Sequence, residues 1–547
     1  MENSDEERNK LKNPDEIYEK LVVHYQRWYS NPLPMLNKKI RKLMERGLSW
    51  GEAVQQIYME ELGEVLGLEV KLRISISEAL SIAANRLKFS PTLAIPVLVG
   101  NAVGALYSAS YLLLLIVAGW LLAACGVNAE KAVDLLLDPW STSFPEIAVT
   151  IARAFDVSIV SLFLLVEAAS SAWRAGLFYQ MFGQALEGVK PSLAGAMEQA
   201  ARRMGSIFPT AFIVVFLTRG MQVIVPRVVN LWLSASLLTL LLWLVFSVLT
   251  KFTLASCILG RNNPLRALRE SISTALAYPG KTLALVIFTA LLWLIASLIT
   301  LILTYLGVAT FSLLALLLLL YVQPILDGCT AILYLHWTGK LEKAEHIEEK
   351  VSLERIVELG RRSLQALKNA AKDLRSVSEA AAILGLGVAV GLLLSRTPPG
   401  EVLYKFLYEN PCGCAPPTQF TSFSLALNIF FNNWNVAAIS AVSGSVTLLL
   451  PASIALVNGL IIGLVAGFKE PIKLLMFVAP HGVIELPSFI VAIAAGIKYY
   501  RKADTLAAKA EGIKQALLVA IGLAPLFLLA AFIEAYISIA NFYEIFK

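Results

Sequence analysis

Long apolar stretches separated by short polar or basic turns alternate along the chain from Pro91 almost to its end. Each comes close to the roughly 20 residues a helix needs to cross the hydrocarbon of a bilayer. Spans are read near 92–124, 155–178, 206–224, 229–256, 282–305 and 309–335, then near 376–395, 434–450, 452–468, 473–498 and 513–540. The pattern predicts an all-α, polytopic integral membrane protein, with two helical bundles of about six and five transmembrane helices. Residues 1–88 are polar instead, with acidic and basic groups nearly balanced and helix-like stretches such as Glu52 to Leu66. Asn31-Pro32-Leu33-Pro34 marks a turn before a basic helix carrying Lys38, Lys39, Arg41, Lys42 and Arg46. The expected organisation is a soluble helical head on the cytoplasmic side (1–88), a six-span domain (89–337), an amphipathic cytoplasmic linker (338–375) and a five-span domain (376–547). No cleavable signal peptide is read, so insertion is expected to rely on internal helices.

Composition agrees with the pattern. A hydrophobic content of 57% with 16% charged residues and a mean hydropathy of +0.67 exclude a soluble globule. The net charge of +6 is modest, and no basic tract with interleaved aromatics suggests binding to nucleic acid. The basic residues are better weighed loop by loop. Lys190, Arg202 and Arg203, then Arg261, Arg266 and Arg269, then residues 339–375, then Lys498, Arg501, Lys502, Lys509 and Lys514 all fall on one side if the N-terminus is cytoplasmic. Arg219, Arg227, Lys469 and Lys473 fall on the other. The expectation is a multi-pass protein of the cell membrane with a cytoplasmic N-terminus.

Two segments of the first half look alike. Gly188-Val189-Lys190-Pro191-Ser192-Leu193 opens an amphipathic helix with Arg202 and Arg203, followed by the span from Phe208 to Leu217. Gly260-Arg261-Asn262-Asn263-Pro264-Leu265 opens another with Arg266 and Arg269, followed by the span from Thr282. Each reads as a turn, an interfacial helix with basic groups at headgroup level, and a membrane helix.

Candidate chemistry gathers late in the chain. Pro480-His481-Gly482-Val483-Ile484-Glu485-Leu486-Pro487 sets an imidazole and a carboxylate four residues apart, inside a segment otherwise apolar from Leu474 to Ile497. On a helix that spacing puts both side chains on one face, one turn apart. An ionisable group deep in a bilayer costs about 2.5–3.5 kcal/mol on insertion scales, so this face is expected to turn toward protein or water. The prolines and Gly482 are expected to weaken regular helix there. Glu534 joins the pair from a neighbouring span. Two readings stand: a proton or cation site, or polar glue that fixes helix packing. Two carboxylates and one histidine are zinc-ligand types, but no fourth ligand is evident and no metal or other cofactor is assigned. Asn432, Asn433 and Asn458 are amides at or within span ends, suited to lining a polar path or to capping helices.

The order of these features carries a resemblance. Asn432-Asn433 before a span, Gly444 in mid-helix, Asn458-Gly459-Leu460-Ile461-Ile462-Gly463, the Pro480–Pro487 run and the late Ile533-Glu534-Ala535 together resemble the stage II sporulation protein M family over about 376–540. The resemblance implies a five-span domain and a role as a membrane scaffold working with partner proteins that dissolve peptidoglycan. Residues 88–335 are similar to six-span membrane domains such as those attached to some glycerophosphodiester phosphodiesterases. That likeness rests on Pro91 to Pro96, Gly176 to Leu193 and 260–282, and no phosphodiesterase motif accompanies it.

Gly459, Gly463 and Gly467 repeat every four residues on one helix, and Gly387 with Gly391 does so on another, a spacing that lets helix backbones approach. Packing within the chain and homo-oligomerisation both use such stripes. Glu167, Arg174 and Asp327 read as structural charges, and Cys412-Gly413-Cys414 reads as a loop. No nucleophile elbow, phosphate loop, zinc-protease pair or dinucleotide fingerprint is present, so no enzyme is expected. The function expected is a scaffold or assembly factor for the envelope, partnered by the lipid bilayer and other membrane or envelope proteins. The alternative is a transporter or channel with its site at His481, Glu485 and Glu534.

Overall fold

The computed structural model describes residues 14–26, 33–45, 49–54, 57, 74–139, 144–222, 232–305, 318–341, 353–405, 419–444, 447–469 and 471–538. Among them the protein is helical throughout, with no strand. In chain order the helices are α1 (Pro14–Gln26), α2 (Leu33–Met44), α3 (Ile76–Phe89), α4 (Ile95–Ala124), α5 (Ala129–Leu137), α6 (Glu146–Leu186), α7 (Leu193–Val215), α8 (Trp232–Leu249), α9 (Thr253–Ile258) and α10 (Pro264–Ala277). There follow α11 (Pro279–Tyr305), α12 (Gln323–Trp337), α13 (Leu353–Ala371), α14 (Leu374–Leu394), α15 (Pro398–Tyr404), α16 (Gln419–Ser443), α17 (Leu449–Phe468), α18 (Pro471–Arg501) and α19 (Leu506–Ile533). Nine helices among the described residues are long and apolar enough to cross a membrane, four between Glu146 and Ile299 and five from Leu374 onward. The protein is an all-α, multi-pass membrane protein. The start of the predicted 309–335 span and the Cys412-Gly413-Cys414 loop lie outside the described residues.

Two compact units divide the chain, and neither is continuous in sequence. One comprises Met1–Leu93, Met181–Pro191 and Ile325–Lys350; the other holds the rest. In the first, α1 and α2 bury Ile17, Leu21, Leu36 and Ile40 with Ala53, Val54 and Ile57. Gly328 of α12 sits so close to Phe182 and Ala83 that a methyl group there would stand 2.8 and 2.9 Å from them. His336 Nε2 accepts the Ile74 backbone N–H at 3.2 Å. Helix α3 begins with a reciprocal cap: Ser75 Oγ accepts from Glu78 N–H, and Glu78 Oε2 accepts from Ser75 N–H at 2.9 Å. Ser75→Ala removes half of this box and is expected to cost about 0.5–2 kcal/mol at that helix end. Hydrogen exchange at residues 76–79 reads the effect; unchanged rates would refute it.

The second unit has a core shared by the two halves of the chain. Leu112, Leu115 and Leu122 of α4, Leu135 of α5 and Ala152 of α6 pack with Val402 and Leu403 of α15 and Leu464 of α17. Tyr404 stacks on Phe468 with ring centroids 4.4 Å apart. The glycines of α14 and α17 face one another in the same chain. A methyl on Gly387 would collide with the Leu456 carbonyl oxygen, on Gly391 with that of Leu460, on Gly459 with that of Leu384 and on Gly463 with that of Val388. At the basic end of α18, Arg501 pairs with Glu379, while Lys498 donates to the Asn369 carbonyl at 2.6 Å and lies 3.9 Å from Asp373. These contacts tie α18 to the junction of α13 and α14.

Several predicted boundaries change. The span placed at 434–450 belongs to α16, whose apolar stretch is Leu425–Ser443, so Asn432 and Asn433 lie inside the span. Gly444 follows the last turn of that helix instead of lying within it, because its backbone rests against Gly496 with no room for a side chain. The prolines at 480 and 487 do not interrupt α18, which runs unbroken across both. A membrane helix tolerates proline where its neighbours support the freed backbone groups. The interfacial helix predicted before the Phe208 span is not separate either. Helix α7 continues from Leu193 through a π turn at Phe216–Gly220. Within it Arg203 donates to the carbonyls of Cys257 and Ile258 at 2.9 and 3.0 Å, so its charge ends on protein, not headgroups. The matching segment at 264–277 does stop, at Tyr278 before Pro279. The acidic 128–146 stretch contains α5, capped by Asn128.

Candidate functional site

Three helices of the second unit build the site. Helix α18 contributes His481 and Glu485 one turn apart, with Val483 on the opposite, exposed side. Helix α16 contributes Asn433. The third contribution comes where α19 changes from α to π winding at Glu534–Ser538, a local irregularity frequent at functional positions. His481 is only 8% exposed and Ser538 is fully buried. The ionisable face is thus turned inward, as the cost of charge in hydrocarbon demands.

The contacts are specific. His481 Nδ1 lies 2.9 Å from Ser538 Oγ, which leaves Nε2 directed at Glu534, 3.9 Å from Oε2. Asn433 Nδ2 donates to Glu485 Oε1 at 2.8 Å, and Asn432 Nδ2 donates to Asn433 Oδ1 at 3.1 Å. One ligand-type atom from each of His481, Glu485 and Glu534 falls within 4.8 Å of the others. Two carboxylates so close and so poorly hydrated repel one another when both are ionised. The arrangement therefore calls for a positive partner, whether a proton, the imidazolium or a cation.

His481 is 20 positions before Arg501 on α18, about 30 Å along the axis at 1.5 Å per residue. That is about the hydrocarbon thickness of a bilayer. The site consequently lies toward the membrane face opposite the basic end of α18.

The structure brings together His481, Glu485, Glu534 and Asn433. Asn432 touches the group only through Asn433 and is otherwise exposed. Asn458 is not at the site: it donates to the Ile454 carbonyl of its own helix at 2.8 Å. Sequence reasoning passed over Ser538, although its place four residues after Glu534 in an apolar segment was a usable signal. It also passed over Trp434, whose Nε1 donates to the Ala520 carbonyl at 2.7 Å and ties α16 to α19.

All of these residues fall inside one match to a known family. Residues 380–539 match the family model described as Stage II sporulation protein M. This part of the chain is similar to the stage II sporulation protein M family. No curated protein and no solved structure matches the chain. The five membrane helices from Leu374 to Ser538 correspond to the matched region, and it holds both the ionisable cluster and the glycine contacts of α14 with α17. Its outer residues Leu386, Leu393, Leu475, Met476, Val483 and Leu529 present apolar surface suited to lipid.

Proposed function

We propose that the protein is a non-enzymatic carrier that binds a proton or cation at His481, Glu485 and Glu534 of its stage II sporulation protein M-like region. It passes that charge across the cell membrane, with the N-terminus on the cytoplasmic side. One observation carries the reading: three ionisable side chains from two membrane helices converge, turned away from lipid, within 4.8 Å. Ionisable groups at such positions mark ion and proton pathways. Glu534 is supplied where α19 passes into a π turn, an irregularity frequent at functional positions.

The test is flux into proteoliposomes of the full chain under an imposed pH gradient or membrane potential. Glu485→Gln keeps the shape of the side chain and its contact with Asn433 while removing the charge. It is expected to abolish flux while gel filtration of the variant stays unchanged. Wild-type flux no greater than that of empty vesicles would refute the proposal, as would equal flux in the variant.

A second reading is favoured by the family match. A stage II sporulation protein M domain implies a scaffold on which envelope proteins assemble, and the polar cluster then fixes helix packing. Stable partners recovered with the solubilised wild type, and equally with Glu485→Gln, support that reading over transport.

A further inference from the structure

We propose that His481, Glu485 and Glu534 form a binding site for a divalent first-row transition metal ion, with zinc as its simplest occupant. This deepens the preceding proposal by naming the ion, and it rests on the site alone and not on movement through it. The donor set is the first argument. An imidazole nitrogen with two carboxylates suits zinc and its first-row neighbours, whereas calcium and magnesium take oxygen ligands throughout. Charge is the second. Two ionised glutamates carry two negative charges, which a divalent ion cancels to give a neutral cluster, and neutrality is what a weakly hydrated interior favours.

The third argument is the outer shell. A metal-bound histidine nearly always has its other ring nitrogen held by a hydrogen-bonding partner, and bound carboxylates are held likewise. Here Ser538 Oγ meets His481 Nδ1 at 2.9 Å and so presents Nε2 to the cluster. Asn433 Nδ2 holds one oxygen of Glu485 at 2.8 Å and leaves the other available. These two hydrogen bonds leave His481 Nε2 and the second oxygen of Glu485 facing the cluster. The ligand atoms stand within 4.8 Å of one another, and rotation of the two carboxylates closes them toward the about 2.0–2.2 Å bonds of zinc. Three protein ligands leave a fourth position to water.

The full-length, untagged protein in lipid nanodiscs, stripped with a chelator, is titrated with zinc against a fluorescent zinc indicator. X-ray absorption at the zinc edge then reads the ligand shell. One zinc per chain is expected, with a nitrogen and oxygen shell containing one imidazole, undiminished by excess calcium or magnesium. The Glu485→Gln/Glu534→Gln double variant is expected to lose it. Asn433→Ala and Ser538→Ala, which leave every ligand in place, are expected to weaken binding about 10–100-fold. Should the double variant fail to fold, these two carry the test, and unchanged affinity in both overturns the proposal. It is also overturned if the folded double variant retains the zinc, if no imidazole appears in the shell, or if calcium displaces zinc on equal terms. Stoichiometric zinc without Glu485-dependent flux sustains the metal site and sinks the carrier; proton flux without zinc binding sinks the metal site alone.

Discussion

The Gly463→Val protein is expected to melt well below its parent in detergent. A β-carbon at position 463 meets the carbonyl oxygen of Val388, which is backbone and has no rotamer by which to retreat. The same holds for Gly459, and in reverse for Gly387 and Gly391, so the two helices interlock at four positions. Forcing one apart separates the others and forfeits close Cα–H···O contacts between the backbones. Overpacking a well-fitted interface costs about 1–3 kcal/mol in ordinary cores, and a backbone collision belongs at or above the upper end. Gly385 is the internal control: it lies on the partner helix α14, with nothing within 4 Å of an added β-carbon. Gly385→Ala is expected to hold or raise the melting temperature, since alanine is favoured over glycine in a helix by about 1 kcal/mol. If both variants melt together with the parent, the interlocked pair is not a determinant of stability.

The second large effect concerns Asn433 and Glu485, measured on metal-free protein. Asn433→Leu leaves a shielded carboxylate without its amide, and Glu485→Leu leaves the amide without its acceptor. Each is expected to destabilise by about 1–3 kcal/mol, the cost of an unsatisfied group. The Asn433→Leu/Glu485→Leu double variant should cost less than the sum, with a coupling of about 0.5–3 kcal/mol, because no orphan remains. Strict additivity would mean that the 2.8 Å contact contributes nothing to holding α16 against α18.

Much of this was readable from residues. The length and apolarity of the late stretches declared the five membrane helices from Leu374 to Ser538, because hydrocarbon admits little else. The four-residue spacing of His481 and Glu485 placed them on one helical face, and the glycine repeats announced close backbone approach. Boundaries were less legible. Asn432 and Asn433 read as polar residues outside a span because a sequence does not show what accepts their hydrogen bonds. Once Glu485 does so, an amide is admissible in mid-helix. Arg203 read as a headgroup anchor for the same reason, since the carbonyls that receive it lie more than 50 residues away at Cys257 and Ile258.

What the sequence determined by itself is local: helix, apolar length and the facing of residues one turn apart. Tertiary structure alone decided partnership. It chose Gly459 and Gly463 as the mates of Gly387 and Gly391 within one chain, set Asn433 rather than Asn458 beside the acids, and brought in Ser538 behind the imidazole. The division has a physical cause. Periodicity fixes how a helix turns its own side chains, but which helix it meets depends on the summed fit of surfaces far apart in the chain, and no short stretch of sequence encodes that sum.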